Sequence, residues 1–426
     1  MKLQGRYMKK VVNSSTIEGT VAAPASKSVM IRAVAASLLA SGSSRIVNPS
    51  FCSDALAAMS IIGALGAGVS KSDGVVMING NGDLKQRAIV RNNLDCGESG
   101  LCMRMFTPIA GLLEEEITLT ANGSLRSRPM RMVEELAQVG VSCVTNGGFA
   151  PVKVKGKMRA GNLHIGGSES SQFLTGLLMA LPLCRGESVI EVESLKSKPY
   201  VELTIDVMKR FGVSVFHDDD LTEFQIKGVE HYRAQDMVVE GDWSGAAFFL
   251  VAGALAGSIG VKGLPHGSRQ ADRAILDALI RAGAHVAVNG DSVSVKREIL
   301  RAFEFDASDC PDLFPALAVL AGGCAGKSVI FGADRLKHKE SNRALVLASE
   351  LSKLGIRIDL FEDRMEITGG AYQGGTVDSH HDHRIAMACA VAALRAKGEV
   401  VIEDAECVSK SYPEFFETLD SVRVKG

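Results

Sequence analysis

The sequence predicts an α/β fold with two domains, each made of three repeats of one α/β unit. Three observations carry this reading. At 426 residues the chain exceeds what one ordinary core encloses and suits two domains of roughly 200 residues. An apolar residue, a glycine and a short β-branched run recur about every 72 residues, at Leu65-Gly66, Val139-Gly140, Phe211-Gly212, Ala282-Gly283 and Leu354-Gly355. Half a repeat away, a polar cluster opening an apolar helix recurs with the same period.

Glycine after a helix supplies a left-handed C-cap, and the apolar alternation that follows reads as a strand. Each repeat therefore holds a helix running into a strand. The polar clusters are Ser26-Lys27-Ser28, Glu98-Ser99-Gly100, Ser170-Ser171-Gln172, Asp242-Trp243-Ser244, Pro311-Asp312 and Asp382-His383-Arg384. Serine and aspartate there read as N-caps of a second helix per repeat. The sixth repeat lacks the glycine, and Phe416-Glu417-Thr418-Leu419 leads into an expected strand at Val422-Arg423-Val424. Asn79-Gly80-Asn81-Gly82 lacks the context of a nucleotide-binding fingerprint and reads as a turn. Three repeats per half give an N-terminal domain at 25–239 and a C-terminal domain at 240–426, to which residues 1–24 are expected to return. The chain would then cross twice, near 24–25 and 239–241, forming a hinge beside an interdomain cleft.

Composition narrows the function classes. Hydrophobic residues make up 46% and aromatics 5% of the chain, which suits close packing of helices on sheets. A formal net charge of −2 argues against general affinity for nucleic acid or anionic membrane, so anion chemistry must be local. The nine cysteines are scattered without a Cys-x-x-Cys pair, as expected of reduced thiols in a cytoplasmic protein. Met1 to Asn13 is polar, with no signal-peptide apolar core, and Met8 offers a second start that would leave the first seven residues dispensable. The longest apolar stretch, Ala246 to Gly257, falls short of the roughly 20 residues that span a bilayer.

A helix N-terminus presents unpaired N–H groups and about half a positive charge, so several together make an anion site. Cations accompany them here: Lys27, Arg32, Arg104, Arg126, Arg128, Arg131, Lys196 and Lys198 in one half, Lys337, Lys339, Arg343, Arg384 and Lys410 in the other. A single serine or aspartate at a helix start is ordinarily only a cap. Six recurrences with basic partners point to a ligand carrying more than one phosphate or carboxylate. His380-His381-Asp382-His383 holds metal-ligand residue types, but neighbouring residues cannot all face one ion. No metal is expected there; Asp382-His383-Arg384 reads as a cap plus an anion contact.

Pro24-Ala25-Ser26-Lys27-Ser28 with Arg32, Ser170-Ser171-Gln172-Phe173-Leu174, Ser197-Lys198-Pro199-Tyr200, Lys339-Glu340-Ser341, Asp382-His383-Arg384 and Lys410-Ser411-Tyr412-Pro413 resemble, in order and over essentially the whole chain, the motifs of the enolpyruvyl transferase family. The resemblance implies transfer of the enolpyruvyl group of phosphoenolpyruvate to the 5-hydroxyl of shikimate 3-phosphate, in a monomer without a cofactor. It implies that Ser28 and Arg32 hold the shikimate ring, that Ser170, Ser171 and Ser197 bind its phosphate, and that Tyr200 supports that site. Lys27, Arg128, Gln172 and Lys410 would meet the phosphate of phosphoenolpyruvate beside Gly100. Arg343 and Arg384 would clamp its carboxylate, a task suited to the guanidinium fork. Asp312 would take the proton of the acceptor hydroxyl and Glu340 would protonate the methylene carbon, with Lys339 completing the reacting centre. Phosphate would then leave a tetrahedral intermediate, and the inhibitor glyphosate would compete with phosphoenolpyruvate.

This sequence departs from the family's pattern at Glu98 and Leu101, where Asn and Thr are common, and at Asn342, where an aspartate is common. Arg335 stands near a position that some relatives fill with asparagine. The nearest rival, a transferase acting on a UDP-amino sugar, would show Lys-Asn in the opening motif and a reactive loop cysteine; Lys27-Ser28 and Arg126-Ser127-Arg128 disfavour it. A non-catalytic phosphometabolite sensor on the same fold is disfavoured by Asp312, Glu340 and Lys410.

Overall fold

The computed structural model describes residues 8–82 and 89–424, so the seven-residue start lies outside the described residues. The chain divides into two compact units, Met1–Pro24 with Gly241–Gly426, and Ala25–Glu240.

Local chemistry sets the helix ends. The side chains of Ser26, Ser99, Asp242 and Asp382 accept the backbone N–H of Val29, Cys102, Gly245 and Arg384, caps worth about 1 kcal/mol each. Gly66, Gly140, Gly212, Gly283 and Gly355 all have φ between +79° and +92°, where a side chain would crowd the following carbonyl. Two of the expected elements differ in kind. Residues Arg131–Val139 form a 3-10 helix rather than an α-helix. The C-terminal helix Phe415–Val422 retains Val422, and only Arg423 bridges to Ile17, so no full strand forms there.

The repeated unit is visible in the sheets. Strands Asn93–Asp95, Ile117–Thr120, Phe149–Gly156 and Val141–Asn146 lie side by side in that order; the first pair is parallel and the others antiparallel. Helix Gly100–Ala110 joins the parallel pair, as such a pair requires a crossover. The same order recurs in Asn162–Gly166, Ser188–Glu193, Glu223–Ile226 and Phe216–His217, and in Glu304–Asp306, Lys327–Phe331, Arg364–Thr368 and Arg357–Leu360. In the first repeat the parallel edge is supplied by Tyr232–Arg233 and Asp236–Val238 beside Ala40–Val47. In the fourth it is Ile17–Ala22 beside Gly257–Lys262. Each unit thus completes its first sheet with a segment from its other end or from the start of the chain.

Asn79-Gly80 is not a turn. It continues strand Val75–Asn81, paired with Ala40–Val47, and the left-handed residue comes only at Gly82, φ +69°. Glycine is needed at 80 because a Cβ would lie 2.0 Å from the Ser37 carbonyl oxygen at the end of helix Lys27–Leu39.

The helices opened by polar clusters form the cores. All residues of Trp243–Ala256, Phe314–Gly322 and His383–Ala393 are buried, and each of these three helices packs against the other two. In the other unit Gly100–Ala110 packs against Lys27–Leu39 and Gln172–Ala180. There a Cβ on Gly176 would come within 2.5 Å of the Met105 carbonyl, which shows how closely the backbones approach. A helix apolar all round is a core helix; among the described residues none is long and apolar enough to cross a membrane. None of the nine cysteines is in a disulfide, and seven are buried.

Candidate active site

In the Ala25–Glu240 unit, three helix starts carry most of the expected ligands. Lys27 opens helix Lys27–Leu39, and its Nζ lies 3.1 Å from Asp54 Oδ2. The Asp54 carbonyl accepts the Cys102 thiol at 3.6 Å, tying this region to the first turn of helix Gly100–Ala110. Arg104 on that helix donates to Gln172 Oε1 at 2.8 Å and to the Pro129 carbonyl at 2.9 Å. Gln172 opens the third helix, and its N–H donates to Ser170 Oγ. Beside Gly100 lies the Arg128 guanidinium, near enough that a Cβ there would be 3.0 Å from Nη1.

Arg32 is buried one turn into the first helix. It donates to Thr204 Oγ1 at 2.8 Å, to the Ser28 carbonyl at 3.0 Å and to the Tyr200 carbonyl at 3.2 Å. These acceptors are neutral, so burial lowers the Arg32 pKa to about 10. A bound anion would relieve that desolvation. Ser197, left-handed at φ +57°, starts helix Lys198–Arg210 and brings Tyr200 to Arg32.

In the Gly241–Gly426 unit the centre is Arg343, whose side chain is 0% exposed. Its Nε donates to Asp382 Oδ2 at 2.8 Å, its Nη1 to Asp312 Oδ1 at 2.9 Å and its Nη2 to Glu340 Oε2 at 2.5 Å. Burial opposes this charge, but Asp382, Glu340 and Asp312 outweigh it and raise the Arg343 pKa. Arg384 Nη2 reaches Asp312 Oδ2 at 3.1 Å, and Lys339 Nζ lies 3.5 Å from Oδ1. Burial would raise the Asp312 pKa, yet Arg384, Lys339 and Arg343 together hold it well below the carboxylate range. The Asp312 side chain is 26% exposed, against 10% for Glu340 and 0% for Asp382, so it is the most open carboxylate of the cluster. For Lys339 burial dominates, and its pKa falls to about 8. Lys410, itself buried, ends the 3-10 helix Ala405–Lys410, which packs against the helix carrying Arg384.

Several of these partners were not foreseen. Asp382 reads in sequence as a helix cap, and it is one, but its carboxylate also holds Arg343 and accepts from Ser341. Asp54 and Thr204 carry no local signal, because what they hold lies 27 and 172 residues away; Arg104, one of the cations expected at the helix starts, meets Gln172 from 68 residues away. Glu340 and Arg343 meet across a helix start rather than within one, since the helix begins at Arg343. Asn342, where an aspartate is common in the family, caps that helix by accepting the Leu345 N–H, and Arg343 is held instead by Asp312, Glu340 and Asp382. Glu98 points into the space left by the bare Gly123, where Ser124 donates to it from N–H and hydroxyl at 3.0 and 2.9 Å. Arg335 donates to the Ser308 carbonyl at 3.4 Å. His380 and His381 contact Glu350 and Asp404, and among the described residues no group of three or more such side chains is arranged to hold a metal ion.

The family model described as EPSP synthase (3-phosphoshikimate 1-carboxyvinyltransferase) matches residues 11–419. The 3-phosphoshikimate 1-carboxyvinyltransferase of Clostridium kluyveri is 39% identical over 414 residues, covering 96% of each chain. That of Methanocorpusculum labreanum is 38% identical over 418 residues, covering 97% of this chain and 98% of the relative. Among solved structures, EPSP synthase from Acinetobacter baumannii superposes with a TM-score of 0.82 at 25% identity, covering 98% of both chains. The enolpyruvyl transferase NikO from Streptomyces tendae shares the fold, with a TM-score of 0.77 at 19% identity and the same coverage. The chain belongs to the EPSP synthase family.

Proposed function

We propose that this protein transfers the enolpyruvyl group of phosphoenolpyruvate to the 5-hydroxyl of shikimate 3-phosphate, releasing phosphate, as a cytoplasmic monomer. Family membership supports the reaction, and the observation that carries the mechanism is the most exposed carboxylate of the cluster, Asp312, gathered by Arg343, Arg384 and Lys339.

Shikimate 3-phosphate is assigned to Ser28, Arg32, Ser170, Ser171, Gln172, Ser197 and Tyr200, and Lys27, Asp312 and Lys339 are assigned to the same substrate. Buried Arg32, bonded only to neutral oxygens in the hydrogen bonds above, gains an ionic partner when the substrate binds. Phosphoenolpyruvate is assigned to Lys27, Gly100, Arg128, Gln172 and Lys410 through its phosphate and to Arg343 and Arg384 through its carboxylate. Those arginines are bonded to the protein's own carboxylates, so the substrate carboxylate must compete with Asp312 for them. That competition has a chemical consequence. Drawing Arg384 and Lys339 toward the substrate removes the cations that depress the Asp312 pKa, and the carboxylate becomes a stronger base when the hydroxyl must be deprotonated. Glu340 is assigned the proton delivered to the methylene carbon. The 5-oxygen then bonds to the adjacent carbon, and loss of phosphate with a methylene proton restores the enol ether.

Phosphate release is measured with phosphoenolpyruvate plus either shikimate 3-phosphate or UDP-N-acetylglucosamine. Release only with shikimate 3-phosphate is expected. Release only with the sugar nucleotide identifies the rival transferase, and release with neither identifies a sensor.

A further inference from the structure

His380 and His381 are consecutive non-glycine residues in the left-handed region, with φ +52° and +57°. Such a pair persists only where its surroundings hold it. Each imidazole contacts a buried carboxylate on a different element. His380 Nε2 lies 3.2 Å from Glu350 Oε1, on the helix Arg343–Lys353, and Glu350 is also held by Lys353 at 2.6 Å and by the Asp378 N–H at 2.9 Å. His381 Nδ1 lies 2.6 Å from Asp404 Oδ2, which also accepts the His381 N–H and the Ser379 hydroxyl. Asp404 precedes the 3-10 helix that ends at Lys410.

The next residue is Asp382, whose carboxylate bonds both Nε and Nη2 of Arg343 and caps the helix that begins with His383 and Arg384. The two histidines therefore tie this loop to the helix of Arg343 on one side and to the approach to Lys410 on the other. We propose that His380 and His381 are positioning residues that fix Asp382, and through it Arg343 and Arg384, for the phosphoenolpyruvate carboxylate. The inference rests on the function proposed above and adds to it a specific effect on one substrate. Shikimate 3-phosphate, assigned mostly to residues of the other unit, should be indifferent to the loop.

The test uses His380→Asn and His381→Asn, because asparagine tolerates the left-handed backbone while shortening the reach. KM for phosphoenolpyruvate should rise about tenfold in each, as expected for a small misplacement of binding groups. Kd for shikimate 3-phosphate and Tm should stay near wild type. His380→Gln, whose amide can still donate to Glu350, should recover most of the loss, and Glu350→Gln, which keeps the side chain's size, should reproduce part of it. An unchanged KM for phosphoenolpyruvate in the asparagine variants overturns the proposal, as does a fall in Tm with both substrates weakened equally. If wild type releases no phosphate with these substrates, the proposed function itself fails, an outcome distinct from active wild type with unaffected variants.

Discussion

At Asp312 and Lys339 the same ion cluster pushes two groups in directions that kinetics can read. Asp312→Asn keeps shape but removes the charge that Arg343, Arg384 and Lys339 surround. Turnover should fall about 10²-fold or more, with shikimate 3-phosphate binding largely retained; near-normal turnover removes Asp312 from proton transfer. Lys339 is held at a pKa of about 8, first by burial and then by Arg343, against the pull of Asp312 and Glu340. It is charged at neutral pH and loses its proton as pH passes 8, so kcat/KM for phosphoenolpyruvate should decline on an alkaline limb near that value. Lys339→Arg, which stays charged, should move the limb upward. A limb at the same pH in that variant assigns it elsewhere. Stability carries the opposite sign: the unfolded lysine, near 10.5, holds its proton more tightly than the folded one, so folding gains as pH rises from 8 toward 10.5.

Helix starts are the element that carries many of the groups assigned above to substrate anions, and Gly100 shows how little room one of them leaves. An alanine Cβ there would lie 2.9 Å from Arg104 Nη1 and 3.0 Å from Arg128 Nη1. Both guanidinium groups must therefore shift to admit the methyl. Gly100→Ala should leave Tm nearly unchanged, because alanine is a good helix former, while inhibition by glyphosate weakens about tenfold and KM for phosphoenolpyruvate rises with it. Unchanged inhibition shows that Arg128 and Gly100 do not line that pocket. Such starts were legible in the sequence because capping is local: Ser26, Ser99, Asp242 and Asp382 each bond an N–H two or three residues ahead. The glycine C-caps were legible for the same reason. Asn79-Gly80 was misread because the need for glycine there arises from the Ser37 carbonyl, a contact that spacing does not reveal. The three carboxylates on Arg343 were only partly legible. Glu340 is three residues away, whereas Asp312 and Asp382 come from 31 and 39 residues off and converge only through the fold.

Across the whole molecule, the ion cluster divides the two units by their expected response to acid. In the Gly241–Gly426 unit, Asp312 is held well below the carboxylate range, and Glu350, Glu366 and Asp420 are also lowered. A carboxyl with a depressed folded pKa stabilises the native state above its unfolded pKa, and that contribution is lost as pH falls through the folded value. Asp404 is raised by burial, despite its bonds from Ser379 and His381, and works in the opposite direction. It cannot offset the cluster, because protonating Asp312, Glu340 and Asp382 would leave Arg343 charged, 0% exposed and without ionic partners among them. Removing the partners of a buried charge is strongly destabilising. In the Ala25–Glu240 unit Glu134 and Asp218, whose pKa values are lowered, are at the surface, where screening leaves little energy to lose, and the Lys27 of its buried Lys27–Asp54 pair is 14% exposed and so less enclosed than Arg343. Its buried Arg32 already has neutral partners and loses none of them in acid. Hydrogen exchange followed by mass spectrometry, as pH is lowered from 7 toward 3.5, should therefore show protection lost first across residues 241–424. Earlier loss across residues 25–240, or simultaneous loss in both units, would show that the Arg343 cluster does not set the acid limit of the fold.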